Sequence, residues 1–312
     1  MRRSLVSSRG ERIRADLILL AVAVVWGSAF VAQRTGMGRV GPFTFNAVRF
    51  ALGSLVLLPV YAIETRFFPK NLVSGDLRGG ILLGLLLFGG ASLQQIGLIY
   101  TTAGQAGFVT GLYVVIVPLL LALVWRERVG WGGWLGTGLA VGGMFLLSVQ
   151  AEFRLSPGDG WVLGGAFLWA LHVIAIGRIV PGRDPLRLAL VQYFVCALFS
   201  LLVALALERE TWDGVLLAGP AILYTGILST GLGYTGQVVA QRRTTPARAA
   251  IILSMEAVFA VLFGWLLLGE RLAARQFLGC GLMLVGMVVA QLGTLVNEAI
   301  SPDNRSFPHT LP

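Results

Sequence analysis

The chain matches itself at a single offset of 143 residues. Asp16 aligns with Asp159, Trp26 with Trp169, Pro42 with Pro185 and Gln94 with Gln237. Thr101–Thr102 aligns with Thr244–Thr245, Glu127–Arg128 with Glu270–Arg271, and Gly143–Met144 with Gly286–Met287. No insertion is needed between these pairs, so the chain is two copies of one unit. Each copy carries five apolar stretches, and five is odd. In a membrane an odd-numbered repeat puts the second copy in upside down, the inverted arrangement of many secondary transporters.

The membrane enters through composition. Apolar residues make up 56% of the chain and charged ones 12%, where a soluble domain carries roughly 25% charged residues. Mean hydropathy is +0.80. Runs of about 20 apolar residues, enough to cross a hydrocarbon core of about 30 Å, recur at 16–34, 43–63, 79–99, 104–125 and 131–149. The second copy repeats them at 160–177, 186–207, 214–239, 247–268 and 276–295. Strand alternation is absent, which leaves helices as the way to satisfy the backbone in lipid. The expected fold is an all-α integral membrane protein with ten transmembrane helices in two inverted five-helix repeats. The repeats occupy 16–149 and 159–295, between an N-terminal segment 1–15 and a tail 296–312. The tail, polar and holding Pro302 and Pro308, is expected to be disordered from Asn297 onward.

The net charge of +9 invites a nucleic-acid reading, but the basic residues sort by loop instead of forming a patch. With the N-terminus inside, 17 of the Lys and Arg fall in cytoplasmic segments and six on the opposite side, with Arg49 inside a helix. That positive-inside bias places both termini in the cytoplasm of an inner-membrane protein and disfavours nucleic acid. The first apolar run exceeds a signal-peptide core and has no clear cleavage site, so it reads as an uncleaved span. Cys196 and Cys280 lie inside helices and read as small packing residues. No HExxH, Gly-x-Ser-x-Gly or Walker loop occurs, and His, Cys and Asp do not cluster, so neither enzyme, cofactor nor metal is expected.

The stretch from Pro118 to Glu127, PLLLALVWRE, and its counterpart from Ser254 to Glu270, SMEAVFAVLFGWLLLGE, resemble the paired signature of EamA-type proteins. Trp26-Gly27-Ser28 and Arg49-Phe50 resemble that family too, and the likeness runs from about residue 16 to about 290. The resemblance implies the drug/metabolite transporter superfamily, with a central cavity between two halves. It favours export of amino acids or related metabolites, while nucleotide-type compounds, sugars and drugs stay open. Two departures stand out: Ala257 follows Glu256 where proline is usual, and Arg126 stands where the second copy has Gly269.

Candidate substrate-binding residues follow from depth in the membrane. Glu256 lies about ten residues into the ninth apolar run, where a carboxylate costs several kcal/mol unless paired, solvated or protonated. Carrying a coupling proton is one role open to it, and tying helices together is the other. Its repeat partner is Tyr113, with Thr110 one turn before. Tyr234, Gln237 and Gln241 fall at i, i+3 and i+7 on one side of the eighth helix, with Gln94 and Gln95 in the matching third. Trp26 and Trp169 sit at mid-membrane, away from the interfacial belt, and offer an apolar face with one N–H donor. His172 lies one turn past Trp169 and titrates near neutral pH.

Other residues read as structural. Arg49 and Asn46 lie near the outer end of the second helix, from which an arginine snorkels to the interface. Glu127–Arg128 and Glu270–Arg271 read as loop-bracing pairs. Glycines 132, 136, 138, 142 and 143, repeated as 279, 281 and 286, suit close helix packing, within one chain or between two, so monomer and homodimer both stand. The expected partners are a small-molecule substrate and the lipid bilayer. A channel, a membrane enzyme and a structural membrane protein are the competing readings.

Overall fold

The computed structural model describes residues 9–67, 74–127, 129–148, 156–209, 212–268 and 274–300. Arg128, Glu270 and Arg271, expected to brace loops, lie outside these residues, as does most of the C-terminal tail.

The first copy folds into α1 (Arg9–Gly36), α2 (Pro42–Phe67), α3 (Ser74–Tyr100), α4 (Ala103–Gly111), α5 (Tyr113–Leu123) and α6 (Trp131–Ser148). The second folds into α7 (Pro157–Ile179), α8 (Pro185–Leu207), α9 (Trp212–Leu217), α10 (Gly219–Tyr224), a π-helical stretch Thr225–Tyr234, then α11 (Thr235–Ala240), α12 (Pro246–Leu253), α13 (Glu256–Leu268) and α14 (Ala274–Ile300). No strand occurs among the described residues. Among the described residues, seven segments are long and apolar enough to cross a membrane: α1, α2, α3, α4 with α5, α7, α8, and α12 with α13. A shorter apolar helix, Phe277–Ala290, lies within α14. The count of ten crossings stays an expectation. α14 also continues to Ile300, beyond the expected end at 295, so the first residues of the supposedly disordered tail are helical.

Local chemistry explains why equivalent elements recur. Pro42 and Pro185 open α2 and α8, where a missing N–H costs nothing. Thr102 and Thr245 cap α4 and α12 by accepting the N–H of Gln105 and of Arg248 at 3.2 and 3.4 Å. Asp159 accepts the Ser156 N–H at 2.7 Å at the head of α7.

The packing has the same exchange symmetry. α1 packs on α13 as α7 packs on α4 and α5; α2 packs on the π-helical stretch as α8 packs on α3. α6 and α14, equivalent to one another, pack together. Their glycines make backbone meet backbone. A Cβ on Gly136 would lie 2.7 Å from the Gly286 carbonyl, and one on Gly286 would lie 2.7 Å from the Gly136 carbonyl. The small-residue stripe is thus used inside the chain. Gly138, Gly142 and Gly281 have open space instead. Gly136→Val is expected to cost about 3 kcal/mol, because neither backbone can withdraw as a side chain would. Thermal unfolding in detergent checks this, with Gly138→Val expected to be silent.

Candidate functional site

The fourth and ninth apolar runs, each expected as one helix, are both broken in mid-course. The breaks are repeat-equivalent. Leu112 donates to the Val109 carbonyl at 3.2 Å and Met255 to the Ile252 carbonyl at 3.1 Å, tightening one turn in each. Ser254 Oγ, donating to Ile251 at 2.8 Å, occupies a carbonyl the helix would otherwise use. Proline is not the cause: Pro118 sits inside α5, well past its break, and Ala257 lacks a ring altogether. Tyr113 and Glu256 are therefore the first residues of α5 and α13. Glu256 is not in mid-helix, as its place in the apolar run suggested, but at a helix start buried in the protein interior. A tight turn inside a helix is a common mark of a hinge.

The eighth run departs further. Its counterpart α3 is continuous, but here a turn at Ala218 separates α9 from α10, which opens on Gly219 and Pro220, and the π-helical stretch follows. The widened turns leave the Ser229 carbonyl free to accept Trp26 Nε1 at 3.1 Å. They also bring Tyr234 under both tryptophans. Its ring lies 4.7 Å from that of Trp26 and stacks on Trp169 at 5.8 Å and 17°. Each tryptophan lies against a glycine of the opposite copy, Trp26 on Gly233 and Trp169 on Gly90. Those glycines are themselves repeat-equivalent, so any larger side chain there would push a ring away. The other six tryptophans stand at or near helix ends, at 125, 131, 134, 161, 212 and 265.

These elements enclose a cavity of about 450 Å³, open space at its mouth included. Seven of the eight candidates line it: Trp26, Gln94, Tyr113, Trp169, Tyr234, Gln237 and Glu256. His172 does not. It is fully buried behind the wall, with Nε2 3.0 Å from Gln192 Oε1 and its ring edge-on to Trp169. Gln241 is also turned aside: it caps the end of α11, two turns beyond Tyr234, and donates to the Val173 carbonyl at 2.9 Å. Gln94 donates to Thr110 Oγ1 at 3.3 Å. The Tyr113 hydroxyl faces the Glu256 carboxyl. Yet Tyr113 Oη, Glu256 Oε1, Gln237 Oε1 and Trp169 Nε1 are buried without hydrogen-bond partners. Most buried polar atoms are paired, and these four around one apolar-walled space make the cavity the candidate site.

Arg49 corrects its expected role. It is 1% exposed and lines the cavity instead of snorkelling outward. Nη1 donates to Gln33 Oε1 at 2.9 Å, and the guanidinium lies 4.8 Å from the Phe50 ring centre. Gln33, Phe30 and Ser229 also line the cavity and were missed. Gln33 carried a usable signal, an amide inside the first apolar run, whereas Ser229 contributes through backbone geometry invisible in sequence.

Beyond the cavity, two repeat-equivalent contacts join the copies. Arg248 grips Asp16 with both Nε and Nη2. At the exchanged positions, Gln105 Nε2 donates to Asp159 at 2.7 Å and Thr101 Oγ1 at 2.9 Å. The first contact is an ion pair and the second is not. It has company: Glu11 pairs with Arg243 at 3.2 Å, Asp76 with Arg187 at 3.6 Å and Glu127 with Arg178 at 2.5 Å. In each, a carboxylate from the N-terminal segment or the first copy meets an arginine of the second.

The family model of the EamA-like transporter family matches this chain twice, over residues 13–149 and 156–291. An uncharacterized transporter of Archaeoglobus fulgidus is 32% identical over 284 residues, covering 90% of this chain and 87% of that protein. A probable terminal-alkyne amino-acid exporter of Streptantibioticus cattleyicolor is 24% identical over 94% of this chain and 99% of its own length. One crystal structure superposes with a TM-score of 0.75 at 20% identity, over 93% of this chain and all of its own. Two matched repeats, apolar spanning helices and relatives named as transporters agree: the chain is a membrane transporter, not an enzyme, and belongs to the EamA-like transporter family.

Proposed function

We propose that the chain is a secondary transporter that exports small organic metabolites, amino acids among them, across the inner membrane with both termini cytoplasmic. The two copies, inverted five-helix units, rock about the central cavity and open it to one side at a time. The observation that carries this reading is the pair of exchanged contacts. Asp16–Arg248 and Asp159–Gln105 occupy equivalent positions in the two copies, and inversion sets them at opposite ends of the cavity. Alternating access needs two closures of that kind. The amino-acid reading is supported by the named activity of the Streptantibioticus relative and by a wall of Trp26, Trp169 and Tyr234 suited to a partly apolar solute.

Reconstituted in liposomes, the protein is expected to give saturable, ATP-independent flux of such solutes, absent from empty liposomes. A panel of amino acids and related metabolites in which none exchanges above that background would overturn the reading. Conductance far above carrier turnover would make it a channel instead.

A further inference from the structure

We propose that Arg49 is a carboxylate-binding residue, and that the solutes this cavity takes carry a carboxylate. The proposal rests on the transport reading and narrows it to a chemical class.

The Arg49 guanidinium is almost wholly buried and makes no ion pair among the described residues. Gln33 occupies Nη1, and Gln33 is itself held by donating to the Ala29 carbonyl at 3.2 Å. That leaves Nε and Nη2, both buried, both without an acceptor. These two nitrogens form one edge of the guanidinium, with parallel N–H bonds that match the two oxygens of a carboxylate. The chain contains its own example of that grip, since Arg248 holds the Asp16 carboxylate through the same Nε and Nη2. A buried cation without a counter-charge is costly, and removing it would be neutral or stabilising unless something fills the empty edge. Phe45 and Phe50 lie beside the guanidinium at 5.8 and 4.8 Å; they stabilise the charge through their faces but accept nothing along its plane.

Trp26, Trp169 and Tyr234 line the same cavity as Arg49, and so do Glu256 and Tyr113. A solute bound by its carboxylate at Arg49 would therefore lay an apolar body along Trp26, Trp169 and Tyr234. An α-amino group, where present, would have Glu256 within the same chamber.

The test uses four probes that differ only at their ends: L-phenylalanine, 3-phenylpropionate, L-phenylalaninamide and phenethylamine. Counterflow in liposomes and thermal stabilisation in detergent are measured on the wild type, Arg49→Lys and Arg49→Met. The expected result is preference for the two acids over the amide and amine by about tenfold or more. That preference should vanish in Arg49→Met and weaken in Arg49→Lys, which keeps charge but loses the fork. Ligand-free Arg49→Met should melt no lower than the wild type, whereas a residue that merely held helices together would lower the melting temperature. Acid and amide exchanging equally, in wild type and Arg49→Met alike, overturns the carboxylate site and leaves the transport reading standing. Acids that stabilise the protein without being exchanged support the site and overturn the transport reading. Neither stabilisation nor flux with either acid overturns the site.

Discussion

Glu256→Gln is expected to abolish concentrative transport while one-for-one exchange continues. Its carboxyl opens α13 inside the protein, faces the Tyr113 hydroxyl and has Oε1 unpaired. Among the cavity-lining residues it is the carboxyl, and under the proposed alternating access it is the group that would exchange a negative for a neutral form. Glutamine keeps the shape and removes the exchangeable proton. Counterflow needs no net driving force, so it isolates binding and reorientation from coupling. Exchange that survives while pH-driven accumulation disappears is the expected pattern. Accumulation retained in Glu256→Gln would show that the carboxyl ties helices together, in which case Glu256→Ala should lower thermal stability.

The second large effect is placed at the ion pair. Asp16→Asn is expected to cost about 3–5 kcal/mol, because it strands a buried guanidinium that has lost its counter-charge. The Arg248 and Asp16 side chains are only 9% and 12% exposed, so water cannot take over. The equivalent change at the other contact, Asp159→Asn, should cost about 1.5–3 kcal/mol, since its partners Gln105 and Thr101 are neutral. Thermal melts in detergent give both values, and the charge-swapped double variant Asp16→Arg/Arg248→Asp should recover much of the loss. Asp16→Asn should also make cysteines introduced near residue 16 more reactive, as that end of the cavity opens. Equal losses at Asp16 and Asp159 would remove the asymmetry between the two contacts.

That asymmetry was half visible in the sequence. Asp16 and Asp159 align, but nothing in the alignment says that position 248 is arginine where position 105 is glutamine for a shared purpose. Only the fold brings each to the aspartate of the opposite copy. The repeat itself, the apolar runs and the positive-inside bias were legible because they are one-dimensional: they depend on spacing and composition, and lipid imposes both. Most of the cavity was legible for a related reason. Polar groups at lipid depth are costly enough that Gln94, Tyr113, Tyr234, Gln237 and Glu256 had to be used or paired.

What tertiary structure decided is direction and continuity. His172 and Gln33 are both polar residues inside apolar runs, yet one points to Gln192 behind the wall and the other into the cavity. Periodicity fixes a face only for a regular helix, and the π-helical stretch Thr225–Tyr234 breaks that regularity where the Ser229 carbonyl meets Trp26. The mid-course breaks before Tyr113 and Glu256 follow from hydrogen bonds three residues apart, with no proline to announce them. Arg49 was open to two outcomes from sequence alone, because its long stem reaches either the interface or the interior. The acceptor on Gln33 and the rings of Phe45 and Phe50, contributed by α1 and α2 once they pack, turned it inward.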